Sequence, residues 1–309
     1  MHPVAVQSGD WFDKSQPRAS LLRIRDCGFE AVDLNINNLC PIRAWLAQPS
    51  EQWSCELDTD EEGLAAYFAP YSQAIVESGV TFCSMHAPFP LFLPENRALS
   101  EYALAMTEQC IRACGLTGCR YMVVHPVVGE DRETERRINR EIFSRLAAVA
   151  REQGVILCVE NMFYHRNGRV VREDCACAEE LCYYVDTLNA ACGEERFGAC
   201  LDTGHALLAG QEIPEMIRML GSRLKTLHLH ENDGIGDMHR IPYTCRPHGG
   251  AAIDWEAVLL ALREVGYEGA ICFETFRSLN LMPAPAHDPM LRLIAAVGGY
   301  FKDQLEEKR

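Results

Sequence analysis

The 309-residue chain contains no run of eighteen uninterrupted apolar residues, and its opening, MHPVAVQSGDWFDK, lacks a basic segment leading into an apolar stretch. Neither membrane spanning nor export is expected on that reading, and the chain reads as cytoplasmic. GxGxxG, a Walker loop and GxSxG are all absent, which removes the usual dinucleotide, P-loop and serine-hydrolase templates. Cysteine is plentiful, but the fifteen residues are odd in number and form no CxxC pair, so reduced thiols are expected rather than a disulfide framework or zinc fingers. Positive charge is scarce, with 29 Lys and Arg against 44 Asp and Glu and a formal net charge of -15. That balance repels phosphate backbones and weighs against a nucleic-acid partner, although a local basic groove could survive on an acidic protein.

What is present is a regular alternation. Short β-branched or apolar runs stand at 4–7 (VAVQ), 31–36 (AVDLNI), 80–87 (VTFCSMHA), 120–126 (RYMVVHP), 155–161 (VILCVEN), 197–203 (FGACLDT), 224–230 (LKTLHLH) and 269–275 (GAICFET). Helical spacing separates them, as in Ile138, Ile142, Leu146, Val149 and in Val258, Leu259, Leu262, Val265, with Gly28, Gly154 and Gly266 where helices should stop. A last helix is expected over about residues 288–307. Eight strand-then-helix units predict a single-domain α/β protein of the (β/α)8 TIM barrel type, covering residues 1–309, because an open doubly wound sheet usually has fewer strands. Three connections after strands are longer than a barrel needs, 37–61 with Trp45 and Trp53, 162–176 and 231–252, and they are expected to act as lids or binding loops on the catalytic face.

The third to eighth strands each end in a residue able to bind a metal: His86, His125, Glu160, Asp202, His230 and Glu274. One such residue would be an ordinary hydrogen-bonded side chain, whereas six at the same relative depth in a barrel meet at its mouth. Period-two spacing puts Cys158, Cys200 and Cys272 one layer below Glu160, Asp202 and Glu274, where small thiols serve as interior filler. His205 in DTGH, and Asp237 with His239, extend the ligand supply. His228 also faces inward by periodicity, so both His228 and His230 are candidates at the end of that strand. Carboxylates mixed with one imidazole suit Mn²⁺, Mg²⁺ or Co²⁺, while a histidine-rich set suits Zn²⁺. Phe89 and Phe92 are expected as an apolar wall beside His86, and Arg166 or Arg246 would serve if a phosphate or carboxylate is bound.

The segments SMHAPF, VVHP, VENM, LDTGH, HLHEND, DMHRIP and FETF, in this order and at these strand ends, resemble the xylose isomerase-like barrel superfamily over essentially the whole chain. That superfamily holds sugar and sugar-phosphate isomerases and epimerases and an apurinic endonuclease branch. Resemblance to the epimerases implies one divalent ion at Glu160, Asp202, His230 and Glu274, with His205 on the substrate. Resemblance to the endonucleases implies three zinc ions on His86, His125, Glu160, Asp202, His205, His230, Asp237, His239 and Glu274. The GFEAVDL stretch and the segment Ile253, Asp254, Trp255 look more like the sugar branch, although Gly236 stands where some ketose epimerases carry an arginine.

The expected activity is a divalent-metal-dependent sugar or sugar-phosphate isomerase or epimerase, moving a proton next to a carbonyl through an enediolate that the ion stabilises. Glu160 and Glu274 would exchange the proton, and His86, His125 and His205 would orient hydroxyls or relay protons. A metal-dependent lyase or dehydratase acting on a keto-sugar is a near variant, and zinc-dependent cleavage at abasic sites in DNA is the distinct alternative. The acidic surface and long loops permit a homodimer.

Overall fold

The computed structural model describes residues 2–46, 53–127, 131–167, 169–172, 175–245 and 253–307. Its main sheet consists of β1 (Val4–Gln7), β2 (Ala31–Asn35), β3 (Thr81–His86), β4 (Tyr121–Val124), β5 (Ile156–Glu160), β8 (Phe197–Asp202), β9 (Leu224–His228) and β10 (Ile271–Phe273). The eight strands are parallel in the order β10-β1-β2-β3-β4-β5-β8-β9. A parallel bridge between Leu229 and Phe273 joins the two ends and brings the sheet to a barrel. The fold is a TIM barrel, and all eight strands coincide with the apolar runs of the sequence.

Helices cover the outside: α1 (Pro17–Asp26), α2 (Glu61–Ser78), α3 (Arg97–Thr117), α4 (Arg132–Gln153), α5 (Ala178–Cys192), α6 (Thr203–Leu208), α7 (Ile213–Leu220), α8 (Trp255–Glu264), α9 (Phe276–Asn280) and α10 (His287–Glu306). Their boundaries have local causes. In α4, Asp131 caps the start by accepting from the backbone N–H of Glu133 and Thr134 at 3.0 Å each, and Gly154 ends it in the left-handed conformation, φ 69°. Between those caps Ile138, Ile142, Leu146 and Val149 are buried, one stripe of the helix against the sheet. No helix among the described residues is long and apolar enough to cross a membrane.

Two cores result. The larger lies between strands and helices and takes the bulky side chains, among them Phe29, Phe68, Phe143, Phe197, Trp255 and Phe301. Inside the barrel the filler is small: Ala5, Ala31 and Cys272 form one cluster, and Val123, Ile156, Cys158 and Cys200 another. The three cysteines expected below the site are therefore where strand periodicity put them. All fifteen cysteines are free thiols.

The long connections differ from expectation in detail. The segment 162–176 carries a small antiparallel hairpin of β6 (Tyr164–Arg166) and β7 (Arg169–Val171). Trp45 and Trp53 both turn to Tyr102 of α3, at 5.7 and 6.1 Å between ring centroids, so these two positions of the 37–61 connection pack on a helix. After β9, the Glu231 carboxylate accepts from the backbone N–H of Thr244 and Cys245, tying that loop down. Arg246 and residues 247–252 lie outside the described residues, as does the side chain of Arg166. The Ile253, Asp254, Trp255 segment has a structural job: Asp254 caps α8 through the Ala257 N–H, and the Trp255 ring packs 5.4 Å from Phe301.

Helix α10 closes on β1 through Gly298, where a methyl group would run into Val4 Cγ1 and the Phe273 ring. Alanine gains up to about 1 kcal/mol of helix propensity over glycine, while overpacking a tight core costs roughly 1–3 kcal/mol, so the clash should win. Gly298→Ala is expected to lower the calorimetric Tm by several degrees; an unchanged Tm would mean that α10 can slide on the barrel without loss.

A candidate metal centre at the mouth of the barrel

The strand ends deliver their side chains to one place. His86 is the last residue of β3, Glu160 of β5, Asp202 of β8 and His228 of β9; His125 follows β4 and Glu274 follows β10 by one residue, and His230 follows β9 by two. All are buried, Asp202, His228 and His230 completely. His205 comes from the first turn of α6, whose N-terminus Asp202 caps by accepting the His205 N–H at 2.7 Å. The i, i+3 spacing of DTGH thus places cap and imidazole on the same side of the site.

Around Glu160, His125 Nε2 lies 2.8 Å from Oε2, His86 Nε2 3.6 Å from Oε2, and His228 Nδ1 3.1 Å from Oε1. Asp202 meets His230 Nε2 at 3.0 Å and His205 Nδ1 at 3.8 Å. In the outer part Asp237 Oδ2 meets His239 Nε2 at 2.8 Å, and Asp237 Oδ1 lies 3.9 Å from His230 and 4.0 Å from His205. Glu274 joins through Oε2, 3.0 Å from His228 Nδ1, and through Oε1, 3.9 Å from His239 Nδ1. The rings of His230 and His239 stack at 4.1 Å, and His239 itself adopts a left-handed backbone, φ 47°.

Among the described residues, four groups of donor atoms lie within 4.8 Å of one another: Glu160, Asp202, His228 and Glu274; His86, Glu160 and His228; Asp202, His205 and His230; His230, Asp237 and His239. All nine residues singled out in the sequence lie in this region. His125 enters through its contact with Glu160, and His230 stands with Asp202, His205, Asp237 and His239 while His228 occupies the space between Glu160 and Glu274.

The donor set fits a divalent cation. Glu274 Oε2, Asp237 Oδ1, His230 Nδ1 and His228 Nε2 are buried without a hydrogen-bond partner, a costly state for polar atoms unless a cation or ligand engages the cluster. Burial raises the Glu160 carboxyl, but the imidazoles of His228 and His125 outweigh it and hold the group well below the usual carboxylate range. Asp237 is likewise brought down to about 2 against the effect of burial by the hydrogen bond and charge of His239. Ionised carboxylates are what a hard cation requires.

Backbone carbonyls aim the imidazoles. The Nδ1–H groups of His86, His205 and His239 donate to the carbonyls of Ala87, Asn161 and Glu274 at 3.1, 3.0 and 2.9 Å, which leaves each Nε2 free to face inward. Gly204 is required by close approach, since a Cβ there would collide with the His230 ring. Phe89, Phe163 and Phe276 pack against His125, His205 and His239 at 4.6, 5.0 and 4.5 Å and form an apolar wall. Of the two phenylalanines expected there, Phe92 packs into the outer core instead.

Sequence reasoning passed over Asp33, Asn161 and Gln7. Asp33 is fully buried in β2, and the one available signal was an acid inside the apolar run AVDLN. Asn161, also fully buried, continues the β5–β8 pairing with its side chain, donating to the Asp202 carbonyl at 2.9 Å and accepting from the Asp202 N–H at 2.7 Å. Asn161→Ala strands two buried backbone groups at about 1–3 kcal/mol each. Urea unfolding should therefore show a loss of roughly 2–5 kcal/mol; a loss under about 0.5 kcal/mol would mean that water replaces the amide.

The chain is 28% identical over 204 residues to an uncharacterised protein of Methanocaldococcus jannaschii, covering 62% of this chain and 63% of that protein. It is 22% identical over 182 residues to a probable endonuclease 4 of Mycoplasmopsis agalactiae, covering 56% and 61%. The matches thus span about three fifths of these relatives' length. Among solved structures, an L-ribulose 3-epimerase superposes with a TM-score of 0.69 over 99% of this chain and 95% of its own, at 16% identity, a likeness of fold. A family model matches residues 21–296, and the chain belongs to the xylose isomerase-like TIM barrel family.

Proposed function

We propose that this protein is a divalent-metal-dependent isomerase or epimerase of sugars or sugar phosphates, moving a proton next to a carbonyl. The observation that carries the reading is the meeting of Glu160 and Glu274, from separate strands, on either side of one imidazole nitrogen, with Asp202 beside them. The L-ribulose 3-epimerase likeness supports the same class.

Glu160, Asp202 and Glu274 would hold the ion together with an imidazole from the end of β9, where the resemblance to the epimerases implies His230. When bound, a divalent ion supplies Lewis-acid stabilisation for the negative charge that develops on a substrate carbonyl oxygen. Glu160 and Glu274 approach from different sides, so one carboxylate removes a proton from carbon and the other returns it. Return to the opposite face inverts a stereocentre, and return to the neighbouring carbon on the same face isomerises. His86, His125 and His205 line the same space and orient hydroxyls, each within 4.0 Å of Glu160. The wall of Phe89, Phe163 and Phe276 keeps water from the carbanionic state.

A second reading has its own support. The His230, Asp237, His239 and the His86, Glu160, His228 groups could hold further ions, and a relative is named as a probable endonuclease 4. Three zinc ions and cleavage at abasic DNA sites would follow from that arrangement, against the electrostatic handicap of a -15 chain.

Metal analysis with solvent-deuterium incorporation into a ketose panel separates the two. One ion per chain with label at the carbon next to the carbonyl is expected; three zinc ions with nicking of abasic duplex would instead establish the endonuclease. Glu160→Gln should reduce label incorporation by at least about 10²-fold, the scale of a lost general base. Full turnover in that variant would remove Glu160 from the chemistry.

A further inference from the structure

The opposite end of the barrel is open. At the starts of β3, β4, β9 and β10 a cavity of about 330 Å³ enters from the N-terminal face. Its cause lies in the sequence. Bulky branched side chains ordinarily pack the interior of a (β/α)8 barrel, whereas the floor here is Ala5, Ala31 and Cys272, with the partly exposed Cys83 and Ala270 against them. Close-packed interiors hold few voids larger than a water molecule, so an opening of this size is uncommon.

Two hydroxyls stand in its lining without an adequate partner. Thr226, two residues before His228 and on the same inward face, is only 6% exposed, and its Oγ1 has no hydrogen-bond partner, beside only the thiols of Cys158 and Cys200. Ser84 is also buried, and its Oγ meets the Cys83 sulfur at 3.7 Å. Sulfur is a weak substitute for an oxygen or nitrogen partner, and a buried hydroxyl left with it is costly. At the entrance the charges are balanced. Lys225 Nζ lies 2.8 Å from Glu195 Oε1, and the exposed Arg120, over the Tyr121 ring at 5.7 Å, shares the lining with the exposed Glu268.

We infer that this floor cavity is a binding site for a neutral polyol of monosaccharide size. It stands apart from the candidate metal centre and does not depend on the chemistry proposed there. Interleaved donors and acceptors suit a molecule whose hydroxyls each donate and accept, and the Tyr121 ring offers an apolar surface to its C–H groups. Balanced charge gives an anion no net attraction. The C-terminus of α3, capped by Gly118, lies at the same lining, and the carbonyl end of a helix repels anions. The volume is at the lower end of the roughly 300–1,000 Å³ of small-molecule pockets, which fits one sugar ring rather than a nucleotide.

Cys83 supplies the readout, because its partly exposed thiol lines the cavity. The full chain is alkylated with iodoacetamide in rising concentrations of D-fructose, D-glucose, myo-inositol or inorganic phosphate. Labelling of each cysteine is followed by peptide mass spectrometry, with the partly exposed Cys182 and Cys192 of α5 as controls. At least one of the polyols should slow labelling of Cys83 saturably and leave both controls unchanged, and phosphate should not. Thr226→Val, close in shape but without the hydroxyl, should weaken the protection about fivefold, the scale of one lost hydrogen bond. Arg120→Ala, at the surface, should weaken it by a similar factor and decides the matter if the Thr226 variant fails to fold. Protection should persist in Glu160→Gln, which alters the mouth alone. A Cys83 that never reacts, or whose labelling is indifferent to all of the polyols, would overturn the inference. So would equal protection by phosphate, loss of protection in Glu160→Gln, or undiminished protection in both floor variants; none of these results bears on metal binding at the mouth.

Discussion

Everything at the mouth of this barrel turns on the expense of keeping carboxylates out of water. Glu160, Asp202, Glu274 and Asp33 are all buried, and an isolated carboxylate in such surroundings costs several kcal/mol after relaxation. The structure offsets that cost with imidazoles: His125 and His228 against Glu160, His230 against Asp202, His228 against Glu274 and Asp33. Several polar atoms nonetheless stay unpaired, so the cluster is assembled at a higher free energy than a purely structural network would need. A divalent ion is the natural remedy, and the same imbalance would give it affinity.

Rigidity comes from elsewhere. Parallel ladders fix the strand ends, and the features that stiffen the site are extensions of that ladder: the Asn161 amide across β5 and β8, and Thr203 Oγ1, which donates to the His230 carbonyl at 2.8 Å and accepts its N–H at 3.1 Å. Because backbone carbonyls hold the far nitrogens of His86, His205 and His239, those imidazoles meet the centre in set orientations. The barrel interior below can then be small and plain. Ala5, Ala31, Cys158, Cys200 and Cys272 fill it, and burial holds the thiols of Cys158, Cys200 and Cys272 above their ordinary value, out of the thiolate form. For Cys272 the hydrogen bond with Cys83 is the larger cause.

The connections divide the labour differently from what their length alone implies. Trp45 and Trp53 pack on Tyr102 of α3, and the Glu231 carboxylate holds the backbone of Thr244 and Cys245. Three aromatic rings from outside the strands face the site, Phe89, Phe163 and Phe276, each against a different histidine. Those rings supply an apolar wall, while the strand ends and the loop after β9, with Asp237 and His239, supply the charge.

Strand and helix positions were legible in the chain because hydrophobic period is a local property: all eight strands and the α4 stripe follow from it, and the cysteine layer follows from period two. The inward ends of six strands were legible for the same reason, whereas His205, Asp237 and His239, which lie outside the strands, are brought beside them by the tertiary fold. The hairpin of β6 and β7 was hidden, because three-residue strands carry too little pattern to register. Which imidazole faces which carboxylate could not be read at all. His228 and His230 share a face by periodicity, and only the closing of the sheet across Leu229 and Phe273, with Asp33 arriving from a strand nearly 200 residues earlier, puts one of them between Glu160 and Glu274. Depth along a barrel axis depends on the stagger between strands, a relation among distant segments that no single stretch of sequence contains.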